Sequence, residues 1–434
     1  MEEIRRIEFT EDMRKTYKIL LPNMLNLHFE ILQGAMRGLG YNVELLTTDG
    51  RDIVDEGLKY VHNDTCYPAL LVIGQFIAAL KSGKYDPDRT ALMLTQTGGG
   101  CRASNYIHLL RKALAKAGFS QVPVISLNPT GLEKNEGFRI DLKFIFLAMA
   151  GVIYGDTLTA FVNQARPYET EKGAADGLCR KWVDYLAERL KQGKDSSFFA
   201  IRKNLSLMAK DFDSLSLHKE PKVKVGIVGE IYVKYSPLAN NHLEDFLHGE
   251  DCEVNVPGLL GFIQYIFDNN IEDIRLYGGK RIAKLVNLFL RRFLEGYEGM
   301  MRHALEKSGR YRAPLSHKAV RRWGEETIGL GCKMGEGWLL TAEMAALCEE
   351  GYHNIICVQP FGCLPNHIVG KGMTRSIRER FPNANIVAID YDPGATRVNQ
   401  ENRVKLMLSV AREELDASSE EICEKEQKIP STVG

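Results

Sequence analysis

Residues 91–117 have the sequence ALMLTQTGGGCRASNYIHLLRKALAKA, which combines a strand, a glycine-rich turn and a helix. Ala91–Leu94 is an apolar run with the length of a buried strand, and Ile107–Ala117 has apolar residues at helical spacing. Three consecutive glycines allow the backbone between them to turn sharply. A strand followed by a loop and a helix is the repeating unit of proteins in which helices cover a parallel sheet.

The same unit recurs along the chain and predicts four strands in each half. The predicted strands are Tyr17–Leu21, Tyr41–Leu46, Ala91–Leu94, Val122–Leu127, Val223–Val228, Glu253–Val256, Asn354–Val358 and Ile386–Ile389. A helical stretch, roughly 144–210, and a polar link, 211–222, separate the two halves. We therefore predict an α/β protein with two Rossmann-like or flavodoxin-like domains, each with a parallel sheet. The expected domains are 1–215, with the helical connection, and 216–410, followed by a loose charged tail, 411–434.

The composition is that of a globular protein. The 434 residues are 44% hydrophobic and 26% charged, and 56 basic residues balance 56 acidic ones, which argues against a nucleic-acid-binding protein. The charged N-terminus has no apolar core of a signal peptide, and no run of about 18 apolar residues predicts a membrane span. We expect a cytoplasmic protein without membrane association, in which cysteines are more often ligands, reactive groups or buried side chains than disulfide partners.

Three of the nine cysteines lie in similar loops at the start of predicted helices. Cys101 directly follows three glycines, Gly98, Gly99 and Gly100, in the loop after the predicted strand Ala91–Leu94. Cys66 and Cys363 are each followed two residues later by a proline, in Cys-Tyr-Pro and Cys-Leu-Pro. Helix N-termini favour thiolates, and ligands of doubly wound sheets bind at the carboxyl ends of the strands. We expect the three thiols to meet in one cleft between the domains.

These residues alone are compatible with more than one kind of site. Zinc sites usually contain paired Cys-x-x-Cys ligands, which the chain lacks, so long spacings and glycine-rich loops favour an iron–sulfur cluster. The alternatives are a catalytic cysteine, with His62, His108 or His367 as its base, and a zinc-binding or metal-free structural protein. Cys332, in a glycine-rich turn, is a fourth candidate ligand. The other cysteines are predicted to be buried or incidental: Cys179, Cys252, Cys348, Cys357 and Cys423.

At these loops the sequence resembles the 2-hydroxyacyl-CoA dehydratase-like iron–sulfur proteins, which include the double-cubane cluster proteins. The similarity spans approximately residues 15–410. It is greatest toward the branch known as dehydratase activators, or as the dehydratase-like part of activase fusions. The segments that carry it are 63–68, 96–102, 166–169, 335–343 and 360–367.

The resemblance implies a [4Fe–4S] cluster, or a bridged [8Fe–9S] double cubane, in the cleft between the domains. Its implied ligands are Cys66, Cys101 and Cys363, with Cys332 as a further candidate. The predicted cofactor contacts are Gly98, Gly99, Gly100 and Arg166, whose guanidinium would lie near an anionic group unless Arg166–Glu169 is only a surface turn.

The resemblance also implies a low-potential electron donor, an ATP-hydrolysing activase with its own [4Fe–4S] cluster. We find no convincing ATPase motif in the chain, so this activase would be a separate protein. A homodimer, or pairing with a related subunit, is expected as well. The protein would reduce or dehydrate a small substrate at the cluster. The alternative is an electron-transfer component of a larger complex that has no substrate site of its own.

Overall fold

The computed structural model describes residues 6–62, 64–96, 99–128, 133–218 and 220–427, with side chains up to residue 417. The strands are β1 Lys18–Pro22, β2 Val43–Leu46, β3 Thr90–Thr95, β4 Val124–Leu127, β5 Val223–Gly229, β6 Cys252–Asn255, β7 Asn354–Pro360 and β8 Asn385–Tyr391.

The α-helices of the first half are α1 Glu11–Thr16, α2 Asn26–Gly38, α3 Arg51–Tyr60, α4 Tyr67–Lys81, α5 Tyr106–Ala117, α6 Leu142–Ala165, α7 Ala174–Lys191 and α8 Phe198–Asp213. Those of the second half are α9 Ile231–Tyr235, α10 Pro237–Asn240, α11 Leu243–Gly249, α12 Leu259–Tyr277, α13 Arg281–Glu306, α14 His317–Thr327, α15 Trp338–Glu349, α16 Thr374–Arg380 and α17 Arg397–Gln427.

The strands form two four-stranded parallel sheets with the same topology. The strand order is β2-β1-β3-β4 in the first sheet and β6-β5-β7-β8 in the second. The prediction of two α/β halves with parallel sheets is confirmed, and each predicted strand lies within two residues of an observed one. The apolar runs predict these strands well because parallel strands are covered by helices on both faces.

The helical region is built from both halves of the chain, which changes the predicted division at residue 215. Its core contains apolar residues of α2, α6, α7 and α8 together with Leu260 of α12 and Leu294, Tyr297 and Met301 of α13. A second core joins α4 of the first half to β5 and α17 of the second. The two halves therefore share their hydrophobic cores, and the helical region is not an extension of the first domain alone.

One helical segment, Leu142–Tyr168, is long and apolar enough to cross a membrane when only length and composition are considered. In the structure, however, 67% of its most apolar window is buried inside the protein. This segment consists of α6 and the turn that follows it, and α6 packs against α2, α7, α8, α12 and α13. A buried core helix in this position is expected to be apolar on all sides.

The prediction of a loose tail after residue 410 is wrong for the described residues, because α17 continues without a break to Gln427. Val404, Met407, Leu408 and Ala411 are buried and have the i, i+3, i+4, i+7 spacing of one helix face. They fix α17 against the second sheet, and the helix then continues into the charged residues that follow.

The equivalent strand orders give each sheet a switch point at its carboxyl edge. The second strand of each sheet pairs on one side of the first strand, and the third strand pairs on the other side. The switch points therefore lie between β1 and β3 and between β5 and β7, where ligands of such sheets usually bind. The residues after β3, β5 and β7 form the candidate site.

Candidate functional site

Each of the three predicted ligand cysteines lies directly before a helical turn. Cys66 is the N-cap residue of α4, and Pro68 lies in the first turn of that helix, as the sequence predicts. Cys101 caps the short turn that leads into α5. Cys363 follows β7 and precedes the turn Asn366–Gly370. The three loops therefore have the same design, and they come from both halves of the chain.

Backbone N–H groups of these turns favour the thiolate form of each cysteine. The Ala103 N–H donates to Cys101 Sγ at 3.5 Å. Burial raises the pKa of Cys66 and Cys363, and the N–H groups of Ala69 and Asn366 partly oppose this rise. A helix N-terminus provides unpaired donors and a positive dipole end, so each thiol is placed to bind as an anion.

The Cys66 and Cys363 loops are in direct contact. The Tyr67 N–H donates to the Phe361 carbonyl at 3.0 Å. Gly362 has φ of +75°, and a Cβ at this position would lie 3.1 Å from the Cα of Cys66. Glycine is required here both for its backbone conformation and for the close approach of the two loops.

The three thiols share one electrostatic environment, to which two carboxyl groups contribute. Burial raises the pKa of Cys101 to about 11, and charges on Glu336, Glu230 and Cys66 add to this effect. Burial also raises the pKa of Cys363, with further contributions from Glu230, Glu336 and Cys101. Without a nearby cation these thiols are protonated at neutral pH, whereas a catalytic nucleophile needs a lowered pKa.

Cys66 has a tyrosine as its hydrogen-bond partner. The Tyr106 hydroxyl, at the first residue of α5, lies 2.7 Å from Cys66 Sγ, and both residues are buried. His62, one of the bases considered for a catalytic cysteine, instead pairs with Asp64 at 3.2 Å and is largely exposed. The geometry therefore supports a ligand role for Cys66 better than a nucleophilic one.

Sequence patterns alone assign Glu230 little weight, although it lies at the centre of the site. It follows β5 directly and caps α9, where its Oε2 accepts the Val233 N–H at 2.9 Å. Glu336 Oε1 accepts the neighbouring Ile231 N–H at 3.0 Å. Burial, and then the charge of Glu336, raise the pKa of Glu230. Its position two residues after the predicted strand Val223–Val228 is the signal that the sequence offers.

Behind this carboxyl pair lies a buried ion pair between Lys234 and Glu343. Lys234 Nζ is 3.2 Å from both carboxylate oxygens of Glu343, and both side chains are almost inaccessible to solvent. The Lys234 charge lowers the pKa of Glu230 and Glu336, but less than burial raises it. Lys234 is thus already paired with another carboxylate.

The glycine-rich loop has two different surroundings. Gly98 lies outside the described residues. A Cβ at Gly99 would meet no atom of the described residues within 4 Å. A Cβ at Gly100 would overlap the Met334 sulfur, so Gly100 provides room for the loop before α15. The loop therefore has room beside Gly99. The lack of a side chain at Gly100 allows Met334 of the second half to pack against the loop.

Cys332 lies on a loop that borders the site, but its thiol has a different environment. Its carbonyl accepts the Trp338 N–H at 2.6 Å, and its thiol acts electrostatically on Tyr265 of α12. By contrast, the Cys66 thiol acts on Cys101 and the Cys101 thiol on Cys363. The structure therefore groups the first three cysteines and leaves Cys332 at the margin.

The expectation that Arg166 contacts the cofactor is not met. Its Nε donates to Asp176 at 3.1 Å, and a second guanidinium nitrogen also contacts this carboxylate. Arg166 lines a separate cavity of about 400 Å³, together with His28, Asp156 and Glu244. The reason is local, because α7 begins eight residues after Arg166 and presents Asp176 in its first turn.

The cysteines predicted to be incidental are packing residues where the structure describes them. Cys179, Cys252, Cys348 and Cys357 are buried in hydrophobic cores. The side chain of Cys423 lies outside the described part. Burial raises the pKa of Cys357 to about 12, as expected for a thiol inside a strand.

The three thiols are the kind of donor that an iron–sulfur cluster requires. In the part of the chain that the structure describes, no three His, Cys, Asp or Glu side chains are arranged to hold one metal ion. A polynuclear cluster separates its ligands more widely than a zinc ion does, and soft thiolates are the donors it requires. Three thiols at the starts of helical turns are compatible with such a group.

Comparison with models of known protein families gives no match to this chain. A search of curated proteins gives no significant match either. The functional assignment therefore rests on the residues and geometry described above.

Proposed function

We propose that Cys66, Cys101 and Cys363 hold an iron–sulfur cluster in the cleft between the two sheets. The protein would accept low-potential electrons from a separate ATP-hydrolysing activase and reduce or dehydrate a small substrate. A cytoplasmic location belongs to the same proposal. The observation that carries it is that three cysteines at the starts of helical turns, on loops of both halves, act on one another electrostatically, and that the Cys66 and Cys363 loops are in contact.

The raised pKa values of the thiols support a metallic ligand. Cys101 would have to lose a proton from a thiol with a pKa of about 11, and the nearby Glu230 and Glu336 oppose this loss. A polycationic iron–sulfur core supplies the positive charge that compensates three thiolates, because metal binding and deprotonation are coupled. Among the described basic side chains, Arg102 lowers the pKa of Cys66, but less than burial raises it, and Lys234 is paired with Glu343.

When bound, the cluster would supply one-electron transfer at low potential. The chain would supply its surroundings. The Tyr106 hydroxyl is placed to donate to the Cys66 sulfur, which stabilises the more negative form of a cluster ligand. Glu230 and Glu336 are placed to hold a proton beside the thiols, because burial favours their neutral forms.

The direct test is cluster assembly in full-length variants under anaerobic conditions. Iron and sulfide would be counted, and the reduced protein examined by electron paramagnetic resonance. About four irons per chain would indicate one cubane, and about eight the bridged form. Cys66→Ala, Cys101→Ala and Cys363→Ala are each expected to lose most of the cluster. Cys332→Ala is expected to retain it, because its thiol is at the margin of the site.

Cys348→Ala is the matched control, since it removes a buried thiol from the core around α15. It should retain the iron content of the unaltered protein. If Cys101→Ala keeps full iron, or if the protein binds zinc stoichiometrically and no iron, the proposal is wrong. Loss of iron in Cys348→Ala as well would show that packing, rather than ligation, determines the result.

A further inference from the structure

A cavity of about 400 Å³ lies between the helical region and the second sheet. Residues of α2, α6 and α7 line one side of it, and residues of β6 and of the loop after β6 line the other. Its volume is in the range of small-molecule pockets, about 300–1,000 Å³. Part of the wall is apolar and is formed by Leu25, Val162, Val254, Val256 and Met301. The cavity thus has the size and the mixed lining of a ligand site.

Most of the ionisable side chains that line the cavity already have a partner within the protein. The pairs are His28 with Asp156, Arg166 with Asp176, Arg180 with Glu30 and Asp184, and His242 with Asp49 and Asp245. The Glu350 carboxylate accepts the Leu315 N–H and the Asn255 side-chain amide. These groups are therefore satisfied without a ligand.

Glu244 and Arg312 also line the cavity, and neither forms an ion pair with any residue that the structure describes. Glu244 Oε2 accepts the Asn163 side-chain amide at 3.2 Å, and this is its one hydrogen bond in the described part of the chain. The described hydrogen bonds of Arg312 all involve its backbone, which leaves its guanidinium free to bind. One carboxyl group and one guanidinium are thus available at the same cavity.

Neighbouring residues of α6 hold these two groups in place. Asn163, which is 5% exposed, bonds to Glu244, and Gln164 bonds to the backbone of Arg312 on both sides, at 2.8 and 3.0 Å. Burial raises the pKa of Tyr352, a further lining residue, and the Arg312 charge partly opposes this rise, so the guanidinium lies on the Tyr352 side of the cavity. The two opposite charges are anchored close together and yet do not pair with each other.

We propose that this cavity binds a free amino acid, with its ammonium group at Glu244 and its carboxylate at Arg312. A molecule that carries both charges complements both side chains through charge-assisted hydrogen bonds. A simple amine would leave the guanidinium without a partner, and a simple carboxylic acid would leave Glu244 without one. The apolar part of the wall can pack against the side chain of the amino acid. This proposal does not depend on the proposed cluster.

The test is isothermal titration of the full-length protein with each of the common amino acids as the probe, at millimolar concentrations. At least one amino acid is expected to bind with one site per chain. Two analogues of that amino acid would then be titrated, the amine that lacks its carboxylate and the acid that lacks its ammonium group. Each analogue should bind at least about tenfold more weakly, because each leaves one charged side chain without its partner.

Glu244→Gln and Arg312→Gln should each weaken binding roughly tenfold. Arg375→Gln and Glu379→Gln are the matched controls, because they remove the same two charges from α16, which does not line this cavity, and they should leave the affinity unchanged. If far-UV circular dichroism shows that Glu244→Gln does not fold, Arg312→Gln decides, since Arg312 is exposed.

Three results would overturn the proposal. The first is that no amino acid binds. The second is that the amine or the acid binds as tightly as the amino acid itself. The third is that Arg312→Gln binds the amino acid as tightly as the control variants do.

Discussion

At the level of single residues, the candidate site places five groups that can become anionic around one cleft. They are Cys66, Cys101, Cys363, Glu230 and Glu336. A negative charge on one of these groups makes ionisation of the others less favourable. Charges on Glu336, Glu230 and Cys66 accordingly add to the rise that burial causes in the pKa of Cys101. Lys234 offers little relief because Glu343 already pairs with it. Arg102 lowers the pKa of Cys66, but less than burial raises it. Further positive charge from a bound group would therefore favour loss of protons from these thiols.

The two buried carboxyl groups of Glu230 and Glu336 should make the stability of the metal-free protein depend on pH. Burial raises the pKa of Glu336 in the folded state above its value in the unfolded chain, where it is about 4.3. Its contribution to stability is complete below that pH and is lost as the pH rises through the folded-state pKa. Glu336→Gln removes this dependence. We expect its free energy of unfolding, relative to the unaltered protein, to increase by on the order of 1 kcal/mol between pH 5 and pH 8.

Urea unfolding of the metal-free protein at several pH values measures this effect. Glu379→Gln serves as the control, because Glu379 is exposed on α16 and, among the described residues, forms an ion pair only with Arg375 of the same helix. The control should follow the pH course of the unaltered protein. If Glu336→Gln follows that course as well, the carboxyl pair is already ionised in the folded state, and burial does not hold a proton beside the thiols.

At the level of elements, the sequence was most informative where elements are buried on all sides. The eight strands and the cysteine turns could be located because apolar runs end at loops of recognisable composition. Other features could not be located from the sequence, because each depends on which helix faces pack together. They are the helices α12 and α13, the continuous α17 and the surroundings of Arg166. Arg166 shows the reason most clearly, since its partner Asp176 is decided by where α7 lies.

The contact between the two Cys-x-Pro loops depends on Gly362, and this can be tested with a matched pair. Gly362 and Gly351 both have positive φ, +75° and +87°, but only at Gly362 would a Cβ meet neighbouring atoms, those of the Cys66 backbone. Gly351→Ala should cost about 1 kcal/mol of stability from backbone strain alone. Gly362→Ala should cost more, by about 1–2 kcal/mol, because the Cys66 loop must also move.

The readout that separates these effects is the alkylation rate of Cys66, mapped by mass spectrometry. Displacement of the Cys66 loop should expose this buried thiol, so its alkylation should accelerate several-fold in Gly362→Ala. In Gly351→Ala the rate should stay within about twofold of the unaltered protein. Equal alkylation rates in the two variants would mean that Gly362 is needed only for its backbone conformation, and not for the contact with the Cys66 loop.

At the level of the whole molecule, two sheets of equal topology are joined by contacts between loops of the two halves, such as the hydrogen bond from Tyr67 to Phe361. The rule that ligands bind at the carboxyl ends of parallel strands directed attention to the loops after β3 and β7. The sequence predicted the division of the chain less well, because a polar link at 211–222 suggests a boundary that the packing does not respect. α12 and α13, which follow the link, complete the core of α6 and α8, which precede it.

This shared core predicts that neither half is stable alone. A fragment of residues 1–218 would expose the surfaces of α6 and α8 that Leu294, Tyr297 and Met301 cover, and burial of such residues contributes about 1.5–3 kcal/mol each. We expect the fragment to bind a hydrophobic dye and to unfold without a cooperative transition. Co-expression with residues 219–434 should restore a complex with a single transition, because both cores are then complete. A fragment 1–218 that unfolds cooperatively by itself would instead establish the link as a true domain boundary.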